Sequence, residues 1–134
     1  MAGNQDKPGA RYTRKAKRDL SDYQYHAMQQ DSGDLIDYVD SSSTGILLGV
    51  LYNKPDAANE EAEIVVTGTA LLYVDGNSVN IVGGATFLGS NSNYHGVAVS
   101  TDKDQYFALA LEDSTADGDL IEVLLLGGPH YLAA

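Results

Sequence analysis

Few side chains in this chain are spaced for chemistry. The three histidines, His26, His95 and His130, lie far apart in sequence and show neither HxH nor HxxxH ligand spacing. That pattern reads as hydrogen-bonded structural histidines. No serine stands in a G-x-S-x-G context, so a nucleophile elbow has no candidate. Asp113, Asp117 and Asp119 surround Gly118, but an EF-hand loop needs oxygens at positions 1, 3 and 5 with glycine at 6. The run Asp113-Ser-Thr-Ala-Asp-Gly-Asp breaks that register and reads as turn chemistry. Asp31, Asp34, Asp37 and Asp40 recur every third residue, which matches neither a metal loop nor one strand face. They read as an exposed acidic stretch that discourages edge pairing. The glycines of 83–89 lack the Gly-Lys-Ser/Thr ending of a phosphate loop. Cysteine is absent, which removes thiol and disulfide chemistry. The residues assign no catalytic, metal or cofactor site, and the expectation is a protein that is not an enzyme and carries no cofactor.

Charge is the stronger signal. Residues 1–18 hold six basic residues, Lys7, Arg11, Arg14, Lys15, Lys17 and Arg18, against Asp6 alone, a net +5. The other 116 residues hold two basic and eighteen acidic residues, a net −16. The expectation is an extended basic arm over 1–18, ordered by a partner surface, on an acidic body over 19–126 with a short tail over 127–134. An acidic body repels nucleic acid and anionic membranes within a Debye length of about 8–10 Å. No nucleic-acid or membrane partner is therefore expected. The longest apolar runs, such as Leu124-Leu125-Leu126, are too short to span a bilayer.

The elements that position these residues read as strands, because the apolar period is two. Tyr23, Tyr25 and Ala27 alternate with polar neighbours, and Leu35–Val39 is a second short run. Ile46–Tyr52 is nearly all apolar with Gly49 inside it, which predicts a buried strand with a bulge or a close backbone approach. Glu63–Val74 is long and β-branched, and Asp75-Gly76-Asn77 is a hairpin-type turn signal. Val79–Val82, Thr86–Leu88, Gly96–Ser100, Gln105–Leu111 and Leu120–Leu126 complete about nine short strands, the pattern of an all-β sandwich or barrel.

Several segments together carry a family resemblance. Gly49-Val50-Leu51-Tyr52-Asn53-Lys54-Pro55 leads through the Ala/Glu-rich 57–62 connector into Ile64-Val65-Val66-Thr67-Gly68. Near the C-terminus stand Leu111-Glu112 and then Gly118-Asp119-Leu120-Ile121-Glu122-Val123. In this order the segments resemble the "GVLxNKP", "VxVxG" and "ALE…GDxIEVLL" pieces of tailed-bacteriophage capsid decoration (cement) proteins. The likeness runs over about residues 19–126, and residues 1–18 extend beyond it.

The resemblance implies a compact, β-tulip-like domain on the outer surface of the virion, made in the host cytoplasm. It implies a homotrimer that binds the major capsid protein and stabilises junctions between capsomers. The basic arm lies outside the likeness, and its charge makes it the expected tether to acidic patches of the major capsid protein. Two other readings compete. The arm would suit a nucleic-acid-binding module, since Tyr12 lies among its cations. The Tyr-containing loop Asn91–His95 would suit a carbohydrate- or receptor-binding β-domain.

Overall fold

The computed structural model describes residues 9–31, 33–39, 46–99 and 105–131, and all regular structure among them is β. No described helix is long and apolar enough to cross a membrane. The first five strands are β1 (Arg11–Ala16), β2 (Ala27–Asp31), β3 (Leu35–Tyr38), β4 (Ile46–Leu51) and β5 (Glu61–Val65). The next five are β6 (Thr67–Asp75), β7 (Phe87–Ser90), β8 (Gly96–Ala98), β9 (Gln105–Ala110) and β10 (Asp117–Tyr131). They close into two barrels, ordered β1-β3-β2-β4-β5 and β10-β6-β8-β7-β9.

Five strands cannot alternate up and down around a closed ring, so at least one neighbouring pair in each barrel is parallel. That pair is β1–β3 in the first barrel and β6–β8 in the second. Both seams are short. β1 meets β3 at Lys15↔Leu35 and Ala16↔Ile36, and β6 meets β8 at Val74↔Gly96. The antiparallel β6–β10 ladder, nine residue pairs long, is the longest in the second barrel.

Side-chain alternation explains the packing. On β10, Ile121, Val123 and Leu125 point inward, while Leu120 and Leu124 are exposed. Phe107 is the largest fully buried side chain and sits in the second barrel's core. Strands β2, β4 and β5 are buried on both faces. Met28, Leu51 and Ile64 fill the first barrel, while Ala27, Val50 and Val65 join the second barrel's core. A wall shared by two cores needs apolar residues on consecutive positions, which accounts for the unbroken Ile46–Leu51 run.

Gly49 meets both of its sequence expectations. The β2–β4 register shifts between Met28 and Gln29 beside it. A Cβ on Gly49 would lie 2.0 Å from the Val65 carbonyl oxygen. Both all-β character and barrel closure agree with the sequence reading, but several boundaries differ. Among the described residues there are ten strands, and the first lies inside the stretch read as an arm. Residues 21–26 form turns rather than a strand, with Tyr25 at φ 66. Val79–Val82 contributes one bridge, Ile81↔Ser114, so Asp75-Gly76-Asn77 is a turn without a hairpin. β10 continues past Leu126 to Tyr131, pairing His130 with Tyr106 across a bulge at the Gly127–Gly128 positions.

Candidate interaction surface

β1 carries the basic residues, and the reason it folds lies in its alternation. Tyr12 and Ala16 turn toward the first barrel's core, and β5 pairs with it from Arg11↔Val65 to Lys15↔Glu61. Leu20 follows and is fully buried, with its N–H bonded to the Pro55 carbonyl at 2.8 Å. The expected boundary at Asp19 therefore falls inside the fold. Positive charge suggested an arm because the partner carboxylates are distant in sequence.

The structure divides the six cations. Arg11 pairs with Glu63 at 3.3 Å and stacks over the Tyr52 ring. Lys17 donates to Asp31 at 2.5 Å, and that hydrogen bond and charge raise the lysine's pKa. Arg18 grips Asp37 at 2.9 Å, which holds its guanidinium more firmly charged. Among the described residues, Arg14 and Lys15 have no ion-pair partner. Arg14 lies 4.3 Å over the Tyr12 ring and donates to the Thr13 carbonyl at 2.9 Å. Lys7 lies outside the described residues, as does Asp40. Asp37 is buried rather than exposed, so the acidic 31–40 stretch is not uniformly a solvated face.

Beside Arg14 and Lys15 opens a groove of about 360 Å³. Its other walls are Gly33, Asp34 and Leu35, from the β2–β3 turn and the start of β3, together with Glu61 of β5.

The resemblance-bearing residues shape the scaffold. Asn53 bridges β4 and β5, donating to the Glu61 carbonyl and accepting the Glu63 N–H, both at 2.9 Å. Pro55 is buried and Lys54 exposed. The Glu112 carboxylate accepts the Glu122 N–H at 2.6 Å, and Leu111 donates its N–H to the Glu122 carbonyl. Asp119 accepts the Ser114 hydroxyl at 2.8 Å, and Gly118 takes a φ of 88 where β10 shifts register. Val50, Leu51, Ile121 and Val123 are core.

An aromatic seam was not legible in the sequence spacing. Tyr38 stacks on Tyr94 at 4.1 Å, and Tyr23 reaches both. His26 lies 5.2 Å from His95, with Tyr73 against each ring. Burial, followed by the charge of His95, lowers the His26 pKa against a hydrogen bond to the Gln24 carbonyl. His95 Nδ1 bonds Asp117 at 2.8 Å, and His130 bonds the Leu126 carbonyl. Tyr94 is thus engaged in stacking within the protein. Among the described residues, no three metal-ligating side chains form a group.

No protein-family model matches the chain, and no curated protein matches it. Among solved structures, the chain is similar to the crystal structure of the head fiber gp8.5 N base in bacteriophage phi29, with a TM-score of 0.61 at 16% identity. The match covers 90% of this chain and 97% of that chain. The likeness thus extends over nearly the whole of both molecules, and at this identity it speaks to fold. This chain therefore has the fold of that head-fiber base.

Proposed function

We propose that this chain is a non-enzymatic decoration protein of a bacteriophage head. In this reading it binds the outer capsid surface as a homotrimer, contacts the major capsid protein through its basic N-terminal segment, and stabilises junctions between capsomers. The observation that carries the reading is the fold shared with a head-fiber base over nearly all of both chains. The ordered sequence segments that resemble cement proteins support it independently. Exposed apolar side chains on the second barrel, among them Phe87, Leu111, Leu120 and Leu124, suit burial against further copies. The acidic body keeps free copies soluble until they dock.

Cryo-electron microscopy of the particle that carries this chain tests the reading. Density for this domain on the outer shell between capsomers is the expected result. Its absence from the particle, or a place on the tail, would overturn the assignment. Light scattering of the purified protein tests the trimer, whose mass is three times 14.2 kDa.

A further inference from the structure

The first barrel closes through a seam of only two residue pairs, shorter than β1 itself. β1 reaches β3 only at Lys15 and Ala16, because the β2–β3 chain turns back at Gly33 and Asp34. Residues Arg11–Thr13 extend beyond that turn, paired on one side with β5 and on the other with no described strand.

The phase of the β1 ladder shows what faces the gap. Ala10 accepts the Val66 N–H and Ala16 donates to the Glu60 carbonyl, so even-numbered residues direct their backbone groups toward β5. Lys17 donates to the Ile36 carbonyl, so odd-numbered residues face the β3 side. Arg11 and Thr13 therefore aim their N–H and C=O groups away from β5, and both residues are exposed. The Thr13 carbonyl already accepts the Arg14 guanidinium. This leaves the Arg11 N–H, the Arg11 carbonyl and the Thr13 N–H, spaced as one further strand would pair with them.

We propose that this open edge, with the groove beside it, is a docking site for an extended, carboxylate-bearing segment of another polypeptide, added as a strand alongside β1. Charge selects the occupant. Arg14 and Lys15 line the groove and are the two described cations of this segment without an ion pair. A second copy of β1 would bring Arg11, Arg14 and Lys15 against their own kind, which disfavours self-pairing. Asp34 and Glu61, the latter paired across the ladder with Lys15, also line the groove, so the favourable position for a carboxylate is the one next to Arg14 and Lys15. The inference rests on the reading that the basic segment grips a partner chain, and it names the part that grips and the chemistry gripped.

Titration of the ¹⁵N-labelled full chain by NMR tests it without a phage particle. The probe is an end-blocked peptide of alternating Thr and Glu, about six residues long. Thr-Lys and Thr-Gln peptides of the same length are the controls. Thr-Glu is expected to shift the amides of Arg11 and Thr13, with Thr-Lys weaker by at least about tenfold. Thr13→Pro removes an N–H that β5 does not use and is expected to weaken Thr-Glu binding about tenfold. If that variant melts early, the pair Arg14→Glu and Lys15→Glu serves instead, since exposed side chains leave the ladder intact. The proposal is overturned by no shift at β1 at millimolar Thr-Glu, by equal binding of Thr-Lys, or by undiminished binding in a folded variant. Shifts at Arg11–Lys15 that depend on protein concentration alone would show self-pairing and overturn the choice of a foreign segment. Failure here leaves the head-protein reading standing, and absence of the chain from the particle leaves the peptide result standing.

Discussion

Arg18 holds the carboxylate of Asp37 through two hydrogen bonds, Nε to Oδ1 and Nη2 to Oδ2, each 2.9 Å long. The guanidinium lies 4.8 Å from the centre of the Tyr38 ring, and the Tyr38 N–H also donates to Asp37. Asp37 is buried and Arg18 is partly open to water. The pair fastens the chain just after β1 to β3, across the seam that only two residue pairs close.

Arg18→Ala should therefore destabilise the first barrel by about 1–3 kcal/mol, the cost of leaving a buried acceptor without its partner. Arg18→Lys should recover only part of this, because an ammonium cannot reproduce the two parallel bonds. Urea unfolding of the three proteins gives the comparison. An unchanged midpoint in Arg18→Ala would show that solvent already satisfies Asp37.

Truncation separates the described strand from what precedes it. Among the described residues the contacts begin with Gly9, whose N–H bonds the carbonyl of Thr67 in β6 at 2.9 Å. Removing residues 1–8 leaves every described strand in place and serves as the comparison. Removing residues 1–18 deletes β1 and the buried Ala16 and exposes the β5 edge, and should unfold the first barrel. Circular dichroism melts of both truncations check this. Equal melting would mean that β1 contributes nothing to the barrel.

Gly49→Ala places a methyl group where the Val65 carbonyl oxygen is 2.0 Å away. Backbone, rather than a flexible side-chain end, must yield, so β4 and β5 would have to separate. The expected loss is about 1–3 kcal/mol, typical of overpacking, read by thermal unfolding. Gly33→Ala meets no neighbouring atom, yet its φ of 77 keeps it a strained control.

Acid should weaken the seam around His26. Its pKa in the folded protein lies below the ordinary 6.5, chiefly through burial and then through the nearby His95. As pH falls, the unfolded chain takes up this proton first. The stability contribution is present above the ordinary histidine range and is lost as pH drops through the lowered folded value. Urea midpoints at about pH 7.5 and about pH 5 should differ more in the native protein than in His26→Phe. Equal pH dependence in both would assign the effect to other groups.

Much of this fold was legible in the chain. A period of two, glycine- and aspartate-rich breaks and the absence of any long amphipathic stretch fix strands as the elements. The unbroken Ile46–Leu51 run announced a strand buried on both faces, and Gly49 within it announced a close approach. What misled was charge without its partners. Arg11, Lys17 and Arg18 looked like a free arm because Glu63, Asp31 and Asp37 lie between 14 and 52 residues away. Tyr23, Tyr25 and Ala27 looked like a strand because alternation does not reveal that Tyr25 adopts positive φ. Local spacing also could not reveal that His26 and His95 meet, or that β1 extends past the β2–β3 turn. Composition and periodicity, which act between near neighbours, determined the kind of element and which residues face inward. Only the closure of the two barrels decided which cations are neutralised and which backbone edge stays open, because those contacts join residues that the chain itself keeps far apart.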